Sequence, residues 1–360
     1  MTDNFSLVFS KDDTRALKGM AIILMLFHHT FVYSGMYEMY SVNFFPLNEE
    51  VINHFAWFGK LCVPIFAFLS AFGLSTSKEK GDKWICKRLL SLLKNYWIVY
   101  LLAIIITSLI NNLFYSIFFE GGDIRIGLLN FLLDFLGLSG LLGTTSFNGS
   151  WWYISLAILV IIMVPVFVWS IGNFGAVATT IMVIFIPRIF GVSFQGNNGM
   201  LSFVFSILLG VLFSQLNLFS LFLKRYKSQI VNFSIFIVMT FLLYVIYQAY
   251  TWIPVENFYE INYGIMPVYV IVYAKRYLVS IPIIREVMIY LGKHSMNVFY
   301  VHIFIRSYYC EKFIYSFSNC FIVVLVLLII SLLISYFIER IKVLFSKVCG
   351  WARHMCKNCG

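Results

Sequence analysis

The sequence predicts an all-α membrane protein, a bundle of about ten transmembrane helices with both termini in the cytoplasm. Three observations predict this class. Of the 360 residues, 61% are hydrophobic and only 12% are charged, whereas a soluble domain has roughly twice that charged fraction. Apolar windows of about 20 residues, the length that crosses a bilayer, recur along the chain. Lysine and arginine lie almost entirely on one side of these windows.

Ten apolar stretches in the sequence are long enough to be spans. We place them at 16–36, 57–76, 89–111, 150–170, 173–192, 200–219, 229–249, 263–281, 294–310 and 317–338. The stretch 127–142 is also apolar, but it is short and contains Asp134, which favours a re-entrant or interfacial helix. The chain therefore divides into a membrane domain at 1–345 and a cytoplasmic tail at 346–360.

The distribution of positive charge predicts the orientation. With both termini inside, 21 lysine and arginine residues lie on the cytoplasmic side and 5 on the outer side. Cytoplasmic loops of membrane proteins carry such an excess. The net charge of +10 gives no reason to expect nucleic acid, because the charges are spread over several inner loops. We expect a multi-pass protein of the cell membrane, in contact with the lipid bilayer.

The first span contains two adjacent histidines, His28 and His29, in the stretch KGMAIILMLFHHTFVY. A titratable side chain at membrane depth is costly and usually has a function. Lys18 precedes His29 by 11 residues, which is almost three helical turns and about 16 Å of rise. Both side chains therefore project from one face and could hold two ends of an extended ligand. We interpret His29 as the functional residue of the two and His28 as its neighbour.

The second and third spans contain further candidates. Small residues in the second span, Ser70 among them, suit close helix packing or the wall of a cavity. Lys87, Arg88 and Lys94 lie at the cytoplasmic entrance of the third span. These cations either anchor the helix by reaching the lipid headgroups or bind phosphates that enter from the cytoplasm, which arginine matches with a fork of N–H donors.

Four residues form a polar and aromatic rim at the outer end of the fourth span: Asn148, Trp151, Trp152 and Tyr153. An aromatic belt at the membrane interface would place tryptophan and tyrosine there, and a surface for a carbohydrate or lipid is the alternative. In the ninth span, Ser295 lies near the cytoplasmic entrance and His302 two turns further in. Taken alone, His302 is more typical of a histidine satisfied within a bundle than of a catalyst.

The sequence lacks the motifs of several enzyme classes. The sequence has no G-x-S-x-G element of a serine esterase. It has no H-E-x-x-H motif or other dense metal-ligand cluster in the spans, and no phosphate-binding loop of an ATP-driven transporter. We therefore expect no bound metal and no resident cofactor.

Five segments together resemble the acyltransferase 3 family of integral membrane acyltransferases. In order they are KGMAIILMLFHH, VPIFAFLSAFGLS, KRLLSLLKNYW, SWWYISLAILVIIMVPVF and LGKHSMNVFYVH. The first helix of the family carries an arginine or lysine, ten residues and then a histidine, which Lys18 and His29 match. Two positions depart from the family pattern. Ala71 follows Ser70 where glycine is usual, and Ser91 stands where a second arginine would accompany Arg88.

The resemblance implies transfer of an acyl group, usually acetyl, from acyl-coenzyme A to a hydroxyl of a carbohydrate. His29 would be catalytic, as a general base or as a transient carrier of the acyl group. Lys18, Lys87, Arg88 and Lys94 would bind the acetyl-CoA donor. Asn148, Trp151, Trp152 and Tyr153 would face the acceptor, a cell-surface polysaccharide or lipid-linked sugar. His28, Ser70, Ser295 and His302 are secondary candidates.

A transporter, flippase or polymerase of lipid-linked sugars is the competing hypothesis, since such proteins also have many spans and aromatic rims. A polymerase would be expected to have a large outer loop with several basic residues, but the longest one here, 112–149, contains only Arg125. Transporters often contain interrupted helices from inverted repeats, and we find no such repeat. A sensor or scaffold would leave His29 unexplained.

Overall fold

A computed structural model describes residues 9–77, 81–192, 196–224, 226, 228–250, 252–253 and 255–358, without the side chains of 196–198, 255–257 and 345–358. The chain is all-helical: 82% is helix, and the described residues form no strand. The all-α part of the predicted fold class is thus confirmed.

The α-helices are numbered here in chain order. They are α1 Lys11–Phe31, α2 Glu49–Phe58, α3 Cys62–Ser75, α4 Asp82–Ile110, α5 Leu113–Phe119, α6 Ile124–Phe135, α7 Ser139–Leu142, α8 Trp152–Ile189, α9 Val204–Gln215, α10 Leu218–Phe222, α11 Gln229–Ala249, α12 Val255–Glu260, α13 Met266–Tyr273, α14 Pro282–Ile303, α15 Glu311–Tyr315 and α16 Cys320–Asn358. Short 3-10 segments join them at Ser34–Met36, Gly59–Leu61 and Gly196–Phe203, and π-helical segments at Ile261–Ile265, Ala274–Leu278 and Phe304–Tyr309.

Among the described residues, 5 helices are long and apolar enough to cross a membrane. They run over Glu49–Ser75, Asp82–Ile110, Trp152–Ile189, Gln229–Ala249 and Cys320–Leu344. Helical segments also occupy the other predicted spans, but those are shorter, interrupted or more charged. The number of about ten spans and the cytoplasmic termini therefore stay predictions. The last helix continues through the predicted domain boundary at 345.

The two predicted spans 150–170 and 173–192 form a single helical element, α8, with a sharp bend. Gly175 has φ 83° and ψ 164°, a conformation that interrupts the helix and that glycine adopts without steric cost. The Ser170 and Thr179 hydroxyls are 2.9 Å apart across the bend, whereas nine residues of straight helix would separate them by about 13 Å. The chain therefore turns back on itself, as two successive spans require.

Helices α1 and α14 form the most extensive helix pair in the fold. Two glycines permit this close approach. A Cβ at Gly19 would collide with the Met288 carbonyl oxygen, and one at Gly292 with that of Arg15. Small residues at such crossings let helix backbones pack tightly in membranes. The pair places the histidine end of α1 against the C-terminal half of α14.

The start of α1 is fixed by a capping box and an ion cluster. Ser10 and Asp13 exchange backbone-to-side-chain hydrogen bonds of 3.1 and 2.8 Å. The buried Asp13 carboxylate also pairs with Lys275 at 2.7 Å and with Arg285. Burial works to raise the pKa of Asp13, but the hydrogen bonds from Lys275, the Ser10 backbone and Arg285 outweigh it, so this pKa lies below its usual value.

Candidate functional site

A cavity of about 770 Å³ lies between α1, α3, α4, α8 and α14. Along α1 it extends from Thr14 past Lys18 to His29, about 22 Å at the helical rise per residue. Helix α3 runs antiparallel to α1. The turn before it packs on Leu24 and His28 through Gly59, and Phe72 near its end contacts Phe9, which precedes α1. This cavity brings together most of the residues singled out in the sequence.

His29 lies at one end of the cavity, in the last turn of α1, since that helix ends at Phe31. The predicted span continued to residue 36, which had placed the histidines closer to mid-helix. The His29 side chain is half-buried and makes no hydrogen bond to any described residue. Its ring nitrogens are therefore available to a ligand in the cavity.

His302 lies behind His29 and outside the cavity lining. The two ring centroids are 5.0 Å apart, and His302 is fully buried. The His302 Nδ1–H donates to the Phe299 carbonyl at 2.8 Å and approaches that of Val298 at 3.2 Å. Since a carbonyl only accepts, Nδ1 carries the hydrogen and Nε2 carries a lone pair. That buried Nε2 has no partner among the described residues.

His28 also lines the cavity, and its ring is held in place by the backbone. Its Nδ1–H donates to the Ala56 carbonyl at 2.9 Å, so Nε2 is the unprotonated nitrogen. The His28 and His29 centroids are 5.1 Å apart. Helix α2 thus orients the first histidine, whereas the second has no such contact.

The opposite end of the cavity carries two of the four predicted donor-binding cations. Lys18 and Arg88 line it, together with Ser91 and Asn95 of α4. Ser91 occupies the position at which the family pattern has a second arginine, and a hydroxyl stands there instead. Lys87 and Lys94 are exposed on the same helix and do not line the cavity.

The predicted acceptor residues separate into two groups. Trp152 and Tyr153 line the cavity, and Tyr153 lies within hydrogen-bonding reach of the secondary candidate Ser70. Trp151 is buried in the core instead, where its indole N–H donates to the Tyr300 carbonyl at 3.1 Å. Asn148 is fully buried as well. Of the remaining secondary candidates, Ser295 lines the cavity.

Asp134 holds the segment that leads into α8. Its buried carboxylate accepts four hydrogen bonds, which come from the hydroxyls of Ser139 at 2.6 Å, Ser146 at 2.8 Å and Tyr100 at 3.0 Å and from the Phe147 backbone N–H at 2.8 Å. The backbone N–H and the hydroxyl of Ser150 both donate to Asn148 Oδ1, at 3.0 and 2.8 Å respectively. Because Ser150 lines the cavity, this network positions one wall of the site.

Sequence reasoning missed four polar lining residues of the cavity: Thr14, Lys60, Asn95 and Ser150. Lys60 is one of the five lysine and arginine residues that the charge pattern assigns to the outer side. Its position beside Pro64 and the small residues of the second span was the one available indication. Where the structure describes side chains, no three His, Cys, Asp or Glu residues are grouped as metal ligands.

The fold and the site define a membrane protein with a cavity that has cations at one end and a histidine at the other. A family model described as an acyltransferase domain matches residues 13–340. The chain therefore belongs to the acyltransferase 3 family, as the sequence motifs predicted. No curated protein and no solved structure matches the chain.

Proposed function

We propose that the protein is a membrane O-acyltransferase that moves an acyl group, acetyl in the simplest case, from acyl-coenzyme A to a hydroxyl of a cell-surface polysaccharide or lipid-linked sugar. The observation that carries this proposal is the single cavity that joins Lys18 and Arg88 at one end to His29 at the other. A donor with a charged head and a long arm ending in a thioester matches that arrangement.

The charged end suits the phosphates of coenzyme A. Arg88 is exposed at the start of α4 and offers a planar fork of donors, and Lys18 adds a second cation on α1. The positive-inside pattern predicts that this end faces the cytoplasm, where acyl-CoA is made. The Lys18-to-His29 rise of about 16 Å is comparable to the length of the pantetheine arm, which would place the thioester beside His29.

The histidine end suits general-base catalysis. His29, whose ring nitrogens bond to no side chain or backbone group in the described ranges, takes the proton from the acceptor hydroxyl. The alkoxide oxygen forms a bond to the thioester carbonyl carbon, the carbon–sulfur bond breaks, and coenzyme A leaves as a thiolate that receives the proton. In the covalent variant, His29 first carries the acyl group and then passes it to the hydroxyl.

The acceptor would enter beside Trp152 and Tyr153, which line the same cavity. The Tyr153 ring contacts that of Phe299, which in turn contacts His302 behind His29. We place its hydroxyl between these aromatic rings and His29. Lys87 and Lys94 are assigned a weaker role in this proposal, since they lie on the surface near the donor end and could only attract the donor from a distance.

Incubation of membranes that contain the protein with radiolabelled acetyl-CoA tests the proposal. We expect label to move to a glycan fraction, or onto the protein, in an amount that follows the amount of folded protein. If protein shown to be folded neither binds acetyl-CoA nor transfers the label, that result contradicts the proposal and favours the transporter hypothesis.

A further inference from the structure

The charges that line the cavity are all positive. Lys18, Lys60 and Arg88 line it, and no aspartate or glutamate is among its lining residues. Inside a protein the effective dielectric constant is low, so unbalanced charges of one sign strongly favour a ligand of the other sign. Two of these cations lie at the donor end, which leaves Lys60 to be explained.

Lys60 lies at the histidine end. It belongs to the 3-10 turn Gly59–Leu61 between α2 and α3. That turn packs directly on α1, since a Cβ at Gly59 would lie 2.5 Å from the Leu24 carbonyl oxygen and 3.2 Å from His28 Cβ. Lys60 is also within electrostatic reach of the His28 ring. It therefore lies beside His28, the neighbour of the proposed catalytic His29, and about three turns of α1 away from Lys18.

Lys60 has no anionic partner among the residues whose side chains the structure describes. Its side chain is half-buried, and within the described part of the chain it makes no hydrogen bond or ion pair. Its ammonium nitrogen makes a cation–π contact with the Tyr263 ring, 5.7 Å from the ring centroid. A cation taken partly out of water without a partner is costly. In a cavity rather than on the lipid surface, that cost is offset when an anionic ligand binds.

We propose that Lys60 binds an anionic group of the acceptor, so that the protein selects an acidic glycan. The group is a sugar carboxylate or the phosphate of a glycosyl phosphate, and both would make charge-assisted hydrogen bonds with the ammonium. The inference rests on the proposed function, because it assumes that the second substrate enters the histidine end. Lys60 would hold the acid while a neighbouring hydroxyl lies against His29.

Three glycosides of one sugar and one tail provide the test: hexyl glucoside, hexyl glucuronide and hexyl glucosyl phosphate. Their binding is measured to protein in nanodiscs saturated with coenzyme A, so that no transfer occurs. The variants are Lys60→Met, Lys60→Arg and, as a matched control, Lys312→Met, which removes an exposed lysine that does not line the cavity.

We expect the native protein to bind one or both acidic glycosides about 10- to 100-fold more tightly than the neutral one, the range for a hydrogen-bonded charge. Lys60→Met should abolish this preference, whereas Lys60→Arg and Lys312→Met should keep it. The acid that is preferred identifies carboxylate or phosphate as the recognised group.

Equal binding of all three glycosides by the native protein would overturn the proposal, as would a preference that survives in Lys60→Met. A Lys60→Met protein that slows acetyl transfer to every glycoside equally, with the binding preference intact, would assign Lys60 to the reaction centre instead. Acid-selective binding without any acetyl transfer would support the Lys60 site and contradict the proposed function, so the two failures are distinguishable.

Discussion

The imidazole rings of His29 and His302 lie 5.0 Å apart between centroids, and only the ring of His29 lines the cavity. His302 Nδ1–H donates to backbone carbonyls, so the buried, unpartnered Nε2 is an acceptor. An N–H of His29 that turned towards this nitrogen would satisfy it. The other His29 nitrogen would then point into the cavity with its lone pair, as a general base requires.

Replacement of His302 by phenylalanine should therefore lower kcat while it leaves the KM for acetyl-CoA unchanged. The hydrogen bond that His29 would make to His302 Nε2 on turning towards it, and that His302→Phe would prevent, corresponds to about 10- to 100-fold in rate. Steady-state kinetics over a range of pH would measure it. His302→Gln, which keeps an acceptor in nearly the same place, should recover part of the rate. A His302→Phe protein with native kcat and native pH profile would exclude this positioning role.

Removal of the Arg88 guanidinium should weaken donor binding. We expect Arg88→Gln to raise the KM for acetyl-CoA about three- to tenfold, a modest effect because the side chain is exposed and partly screened by salt. The effect should shrink as ionic strength rises. Lys94→Gln is the matched control, since Lys94 lies on the same helix outside the cavity. Equal effects of the two substitutions would argue against a specific donor contact at Arg88.

Asp134→Asn should destabilise the protein by about 2–3 kcal/mol, because an amide cannot accept all four hydrogen bonds that the buried carboxylate accepts. Thermal unfolding in detergent, followed by a thiol-reactive dye or by intrinsic fluorescence, would show a lower Tm. Glu120→Gln provides the comparison at an exposed carboxylate outside the network. An unchanged Tm for Asp134→Asn would mean that the segment before α8 is held by other contacts.

The ion cluster at Asp13 predicts a pH-dependent stability. Because the hydrogen-bonded and ion-paired carboxylate has a lowered pKa, it stabilises the folded state above its unfolded pKa of about 3.9. That contribution is lost as the pH falls through the lowered folded value. Asp13→Asn should thus lower the Tm at pH 7, and the difference from the native protein should shrink below about pH 4. A difference that stays constant down to pH 3 would contradict this.

Local patterns in the sequence were enough to predict the all-helical class and to place Lys18 and His29 together in the first span. Helical periodicity placed Lys18 and His29 on one face, and both line the same cavity. The two spans on either side of Gly175 were predicted. That they form one helical element with a bend at Gly175 was not. These features depend on neighbours along the chain, which a sequence displays directly.

Features that depend on packing between segments far apart in the chain could not be predicted from local sequence patterns. Trp151 and Trp152 are adjacent and chemically alike, yet one is in the core and the other on the cavity. Their difference is set by Tyr300, which is 149 residues away from Trp151 along the chain. The contact between the His29 and His302 rings, and the position of Lys60 away from any described carboxylate partner, likewise follow from how α1, α2 and α14 pack.

The central claim is that His29 performs acyl transfer, and one comparison tests it most directly. Membranes with the native protein, His29→Ala or His54→Ala are supplied with radiolabelled acetyl-CoA, at matched amounts of folded protein. His54 is the control because it is half-buried, its Nε2–H donates to the Tyr247 carbonyl at 2.8 Å, and it lies outside the cavity lining. We predict that label reaches the glycan fraction with the native and His54→Ala proteins and is lost with His29→Ala. Transfer by folded His29→Ala at the native rate would contradict the account.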